Sequence, residues 1–210
     1  MCATRDIAQY VIMRRCRLYW RGWLDVWTQA ARALLAVEEL ERRRLLDYLS
    51  SRRPRACPHV SAVEVYMPRG DRARTLAAFI DVDRCAVHIV WSDEYVPVPL
   101  LDEAYRALRR RIYGRTTDVE TVAIDYDPAS GAARLVFHTT FGEPNPYQLS
   151  VHNDAAARTR WTGVVRVYSW TWNHLMSWRP SPWVEALGGY WVERPRLLHG
   201  SRGDAERYRP

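Results

Sequence analysis

The chain has no lysine, so all 31 of its basic residues are arginine. Asparagine is also scarce, while alanine, arginine and valine abound. A GC-rich genome accounts for this bias simply. The chemical alternative is that guanidinium forks suit phosphate and stack on bases. With 24 acidic residues the formal net charge is +7, which permits a polyanionic partner without requiring one. The four cysteines, Cys2, Cys16, Cys57 and Cys85, form no C-x-x-C and suit a reducing compartment. Cys57, His59, Cys85 and His88 are the one metal-like set. Cys85 and His88 lie three apart in the strand-like CAVHIVW, so they point to opposite faces, which argues against zinc. No stretch approaches the ~20 uncharged apolar residues of a membrane span. Arg14, Arg15, Arg17 and Arg21 interrupt any signal-like apolar region. The expectation is an intracellular protein, cytoplasmic or nuclear, with no membrane association. There is no phosphate-binding glycine-rich loop, and no nucleophile arrangement stands out.

Periodicity predicts an α+β protein. Residues 4–52 read as helix, with Trp23, Trp27, Ala30, Leu34, Val37, Leu45 and Tyr48 on one side. SSRRPRACP (50–58) is a linker, because it is polar and holds two prolines. Strands are expected at 60–67, 75–83 and 85–91, then an amphipathic helix at 100–114. Leu101, Ala104, Tyr105, Leu108 and Ile112 form that helix's apolar face, and Gly114 its cap. A hairpin over 119–127 and 132–141 follows, turning at PASG, and a last strand covers 162–170. This gives an N-terminal helical segment (1–53), an α+β core (54–160) and a last strand with an aromatic extension (161–210). The core is a mixed or antiparallel sheet with one packed helix. The two RGD triplets, at 69–71 and 202–204, read as turns.

FIDVDR sets Asp81 and Asp83 two apart on a strand, so both project from one face. Paired carboxylates of this kind hold divalent cations, and two such ions can activate a hydroxyl and stabilise a leaving phosphate. A turn at the strand end uses the same residues. IDYDP repeats the pattern at Asp125 and Asp127, where the following Pro-Ala-Ser-Gly favours a turn.

FIDVD, the helix ending RIYG, SGAARLVFH and RVYSWTWNHLMSWR together resemble the archaeo-eukaryotic primase superfamily, especially its primase-polymerase branch. The match runs from Phe79 to Arg179, about half the chain. Arg134 stands where that family's histidine is expected, and His138 lies four residues on. The resemblance implies catalytic roles for Asp81, Asp83 and His138, with magnesium or manganese held by Asp81 and Asp83. It implies a triphosphate contact from Arg134 or His138 and a template or nucleotide contact from Arg179, and equally a minimal or inactive relative. Arg166 and Arg179, interleaved with the later aromatics, suit a base-stacking nucleic-acid surface independently of it. The order helix, three strands, helix, hairpin also resembles bacterial immunity proteins of the YezG type. That likeness implies a protein-binding module with no catalysis.

Half of the ten tryptophans fall within RVYSWTWNHLMSWRPSPWVEALGGYW, 166–191. On a strand, Tyr168, Trp170 and Trp172 share one face. Such a face is core, or a platform on which single-stranded bases stack. Its size relative to Val167, Ser169 and Thr171 predicts burial against Trp23, Trp27 and Leu34. Trp183 and Trp191 sit in irregular chain beside proline and glycine, and are expected at a partner interface.

Overall fold

The computed structural model describes residues 54–137 and 158–210, except 55, 96–98, 171–173 and 175, and scattered helical positions between 25 and 51. The protein is α+β, built on two mixed sheets. That helical segment is α1. The strands are β1 (Ala62–Pro68), β2 (Thr75–Asp81), β3 (Ala86–Trp91), β4 (Asp118–Asp127), β5 (Ala132–Phe137), β6 (Thr159–Arg160), β7 (Val164–Ser169), β8 (Met176–Ser177), β9 (Tyr190–Glu193) and β10 (Arg196–His199). The remaining helices are α2 (Pro99–Tyr113), α3 (Pro182–Ala186) and α4 (Arg202–Arg207).

The large sheet runs β10-β2-β3-β4-β5-β6 and the small one β8-β7-β1-β9. Each has one parallel pair, β10 with β2 and β7 with β1; the other pairings are antiparallel. Every residue of β3 is buried, because both faces of the large sheet are covered there. On one face Val87, Ile89 and Trp91 meet Val63, Val65 and Met67 of β1 and Val165 and Val167 of β7. On the other, Ala77, Phe79, Val90 and Val119 meet Ala205 of α4. Burying each such side chain contributes roughly 1.5–3 kcal/mol.

The chain crosses from large sheet to small at 161–163. Gly163 has φ +83°, and Ser61 donates its N–H to the Gly163 carbonyl at 2.7 Å. A Cβ on Gly163 would lie 2.7 Å from Ser61 Oγ, so both backbone angle and crowding require glycine.

All six strands and the helix expected between residues 60 and 170 are present. Three details differ. The buried face of β7 is Val165, Val167 and Ser169, and Tyr168 points away from the core. Parallel pairing with β1 sets Val165 and Val167 beside Val63 and Val65 in the core, which leaves no room for a large aromatic face inside. In α2, Ile112 is exposed, whereas Arg109 is fully buried beneath the helix. The second RGD triplet opens α4: Ser201 and Asp204 form a capping box around it. Trp23, Trp27, Leu34 and Thr171 lie outside the described residues.

Arg109 bonds Glu94 and lies 3.8 Å from Asp118. Tyr105 donates to Glu94 at 2.8 Å. Asp118 also bonds His174 Nδ1 at 2.9 Å, and that imidazole stacks on Trp91 at 4.7 Å. Burial raises the Asp118 carboxyl, but the bond and charge of His174 and the charge of Arg109 hold it below its ordinary range. Removing Arg109 would take the compensating guanidinium away from two buried carboxylates. Arg109→Met should therefore cost about 3–5 kcal/mol of folding stability by urea denaturation. A loss below about 1 kcal/mol would mean that the carboxylates find other partners.

Candidate nucleic-acid interface

Asp81 ends β2, and Asp83 is exposed in the turn joining β2 to β3. The expected pair on one strand face is thus split by the turn. Asp81 Oδ1 accepts the Arg84 backbone N–H at 3.0 Å. Its Oδ2 lies 3.4 Å from His88 Nε2. His88 is fully buried on the α4 side of the sheet, whereas Cys85 is buried on the side facing β1. Among the described residues no group of three His, Cys, Asp or Glu side chains is placed to hold a metal ion. Asp127 accepts from Ser130 in the hairpin turn at 2.6 Å, as its sequence context suggests.

His88 belongs to a chain of hydrogen bonds. Arg202 donates to Thr121 Oγ1 at 2.8 Å, and Thr121 Oγ1 lies 2.8 Å from His88 Nδ1. The ionised Asp81 carboxylate can only accept, so the His88 proton sits on Nε2; in the neutral ring Nδ1 then accepts from the Thr121 hydroxyl. Arg202 and Arg42 both donate to Glu206, which ties α1 to α4. Burial lowers the His88 pKa more than Asp81 raises it. Burial raises the Asp81 carboxyl, but hydrogen bonds from His88 and Arg84 hold it below its ordinary value.

The arginines expected at nucleic acid lie elsewhere. A groove of about 310 Å³ opens between β5 and β6 of the large sheet and β7 of the small one. Arg134, Arg160, Arg166, Trp161, Trp178 and Leu135 line it. Arg134 and Arg166 thus come together, 32 positions apart in sequence, and neither is near Asp81 in the pairing of the sheets. Arg160 and Trp161 carry no motif; their only sequence signal is basic next to aromatic. Trp161 is held by donating its indole N–H to the His59 carbonyl at 2.8 Å. The Arg179 guanidinium lies 5.7 Å from the Trp178 ring, beside the groove.

Carboxylates position these guanidinium groups. Asp125 Oδ2 accepts from Arg134 Nε at 2.7 Å and from Arg158 at 2.9 Å. Glu64 accepts from Arg166 Nε at 2.8 Å and from Arg194 at 2.9 Å. Two guanidinium groups on one carboxylate leave each cluster one positive charge in excess. Arg160 is exposed and has no acidic partner among the described residues. The groove is therefore cationic with aromatic walls.

The remaining expected residues are dispersed. Trp170 is half-buried and donates to the Arg179 carbonyl at 2.8 Å. Trp183 is 80% exposed on α3, next to Leu187 at 84%. Trp191 packs at the margin of the core under the Arg74 guanidinium, 4.2 Å away. His138 and Trp172 lie outside the described residues.

His88 yields a pH dependence. Unfolded, it takes up a proton near its ordinary value of 6.5; folded, it resists. Stability is full above that value and falls as pH drops through it, because the unfolded chain then binds more protons. His88→Gln should flatten the dependence of unfolding free energy on pH between about 7.5 and 5. An unchanged slope would show that folding does not shift the His88 titration.

No family model, curated protein or solved structure matches this chain.

Proposed function

We propose that this protein binds single-stranded nucleic acid in the groove between β5–β6 and β7. The observation that carries this reading is the convergence of Arg134, Arg160 and Arg166 on walls formed by Trp161 and Trp178. Single-strand binders combine a basic track for the backbone with aromatic rings for the bases, and the net charge of +7 adds long-range attraction. Metal-dependent strand extension, which the primase resemblance implies, would need Asp81 to release Arg84 and His88 in favour of magnesium or manganese. Binding alone needs no such rearrangement.

Fluorescence anisotropy with labelled oligothymidylate tests the reading. Affinity should fall steeply with salt, because phosphates that pair with arginine release counterions. Arg160→Glu should weaken binding about tenfold or more and flatten the salt slope by about 0.7 for each phosphate it ceases to neutralise. Wild-type protein that fails to bind at low salt would remove the proposal.

A second reading, a protein-binding module, is favoured by one observation: Trp183 and Leu187 stand side by side, four positions apart, and almost fully exposed. Exposed tryptophan is typical of interface hot spots. Trp183→Ala should change folding stability by no more than about 0.5 kcal/mol and lower affinity for a protein partner. A large drop in melting temperature would make Trp183 structural instead.

A further inference from the structure

The face of the small sheet that points away from the core is aromatic. Tyr66 and Tyr168 are direct neighbours in the β1–β7 register, and both lie on that face. Their rings stack at 4.4 Å with 23° between planes. Tyr190 meets Tyr168 edge-on at 5.3 Å. Val192, opposite Tyr66 on β9, is 37% exposed. Neither Tyr66 nor Tyr168 hydrogen-bonds its hydroxyl to another described residue. The stack is therefore a half-buried aromatic ridge outside any polar network of the described residues.

The ridge adjoins the groove. Arg166 lines the groove and also lies on this outward face, two residues before Tyr168 on the same strand. At ~3.3 Å per residue the step is about 7 Å, within reach of one extended nucleotide. Arg166 gives its Nε to Glu64. Its terminal nitrogens take no part in that bond, so they can carry a phosphate. Arg194, held by the same carboxylate from the β9 side, extends that row of positive charge beside the tyrosines.

We propose that a nucleic-acid strand leaving the groove passes Arg166 and stacks its next bases on the Tyr66–Tyr168 ridge, which makes the outer face of the small sheet a second part of the binding site. This rests on the nucleic-acid reading of the groove. The strand is single, because stacking on the ridge requires bases free of a duplex. Glu64 restrains the site: its negative charge sits between the two arginines that a strand backbone would use.

The test compares labelled oligothymidylates of about 2 and about 12 nucleotides, since about two nucleotides fill the groove and leave no following bases for the ridge. The double variant Tyr66→Leu, Tyr168→Leu keeps apolar bulk and removes the rings. It should leave the short oligonucleotide unchanged and weaken the long one about tenfold. Tyr66→Phe with Tyr168→Phe should bind the long one as the wild type does. Glu64→Gln, which removes the charge and keeps the shape, should tighten the long one severalfold, and it serves as the second measure if the leucine variants unfold. Long-oligonucleotide affinity within about twofold of wild type in the leucine variant, while Arg160→Glu still weakens binding about tenfold or more, would overturn the ridge and leave the groove standing. No tightening by Glu64→Gln would also count against it. If the wild type binds neither length, both the groove and the ridge fail.

Discussion

The fold depends on β3 being buried on both faces. A central strand so enclosed tolerates only apolar side chains or polar ones with every bond made. Val87, Ile89 and Trp91 satisfy the first condition by packing on the small sheet. His88 satisfies the second through Asp81 and Thr121. Thr121 in turn requires Arg202, Arg202 requires Glu206, and Glu206 draws in Arg42 from α1. One histidine on the inner strand thus sets where α4 and α1 lie. The same logic operates at the far end of the strand, where Arg109 compensates Glu94 and Asp118. Polar groups in this protein serve chiefly to close the large sheet.

That closure bears on the acids. Asp81 has the residue type and setting expected of a metal ligand on a strand, but its oxygens go to a turn N–H and a buried imidazole. Asp125, on the neighbouring hairpin, instead faces solvent and holds two arginines at the groove. The groove forms where the sheets stop enclosing each other, between the short β6 and the start of β7. An aromatic and cationic surface can persist there because Trp161 packs only partly against the core, while Trp178 and Arg160 stay exposed.

Much of the fold was legible because periodicity reports burial directly. The run AVHIVW declares a strand buried on both faces, and LLDEAYRALRRRIY a helix with one covered side. The inward side of α2 misled, because Arg109 counts as polar in any periodic pattern yet is buried once Glu94 and Asp118 face it. The short elements β6, β8, β9, β10, α3 and α4 were not legible: two to six residues carry no period. For the site, Arg134 and Arg166 were visible as basic positions on strands. Their meeting was not, since it depends on the crossing at Gly163 that folds one sheet against the other. The facing of Tyr168 followed from its partner strand, and nothing in RVYSWTW specifies pairing with β1.

The absence of lysine acquires a physical meaning at the groove. Arg134 and Arg166 each give Nε to a carboxylate on the adjacent strand, Asp125 and Glu64. The guanidinium is planar and rigid, so fixing Nε also fixes where the two terminal nitrogens point. An ammonium has no second end: a lysine bound to Glu64 would commit its single charged centre to that bond. Arginine can be held by the protein and still present a fork to phosphate. A compositional bias that a GC-rich genome accounts for on its own would in that case supply the side chain that a positioned, charge-restrained phosphate track requires. The carboxylates then have two effects. They hold each guanidinium in place before a ligand arrives, which lowers the entropy lost on binding, and they cancel part of its charge, which lowers the attraction. With two guanidinium groups per carboxylate, orientation is gained while each cluster stays positive.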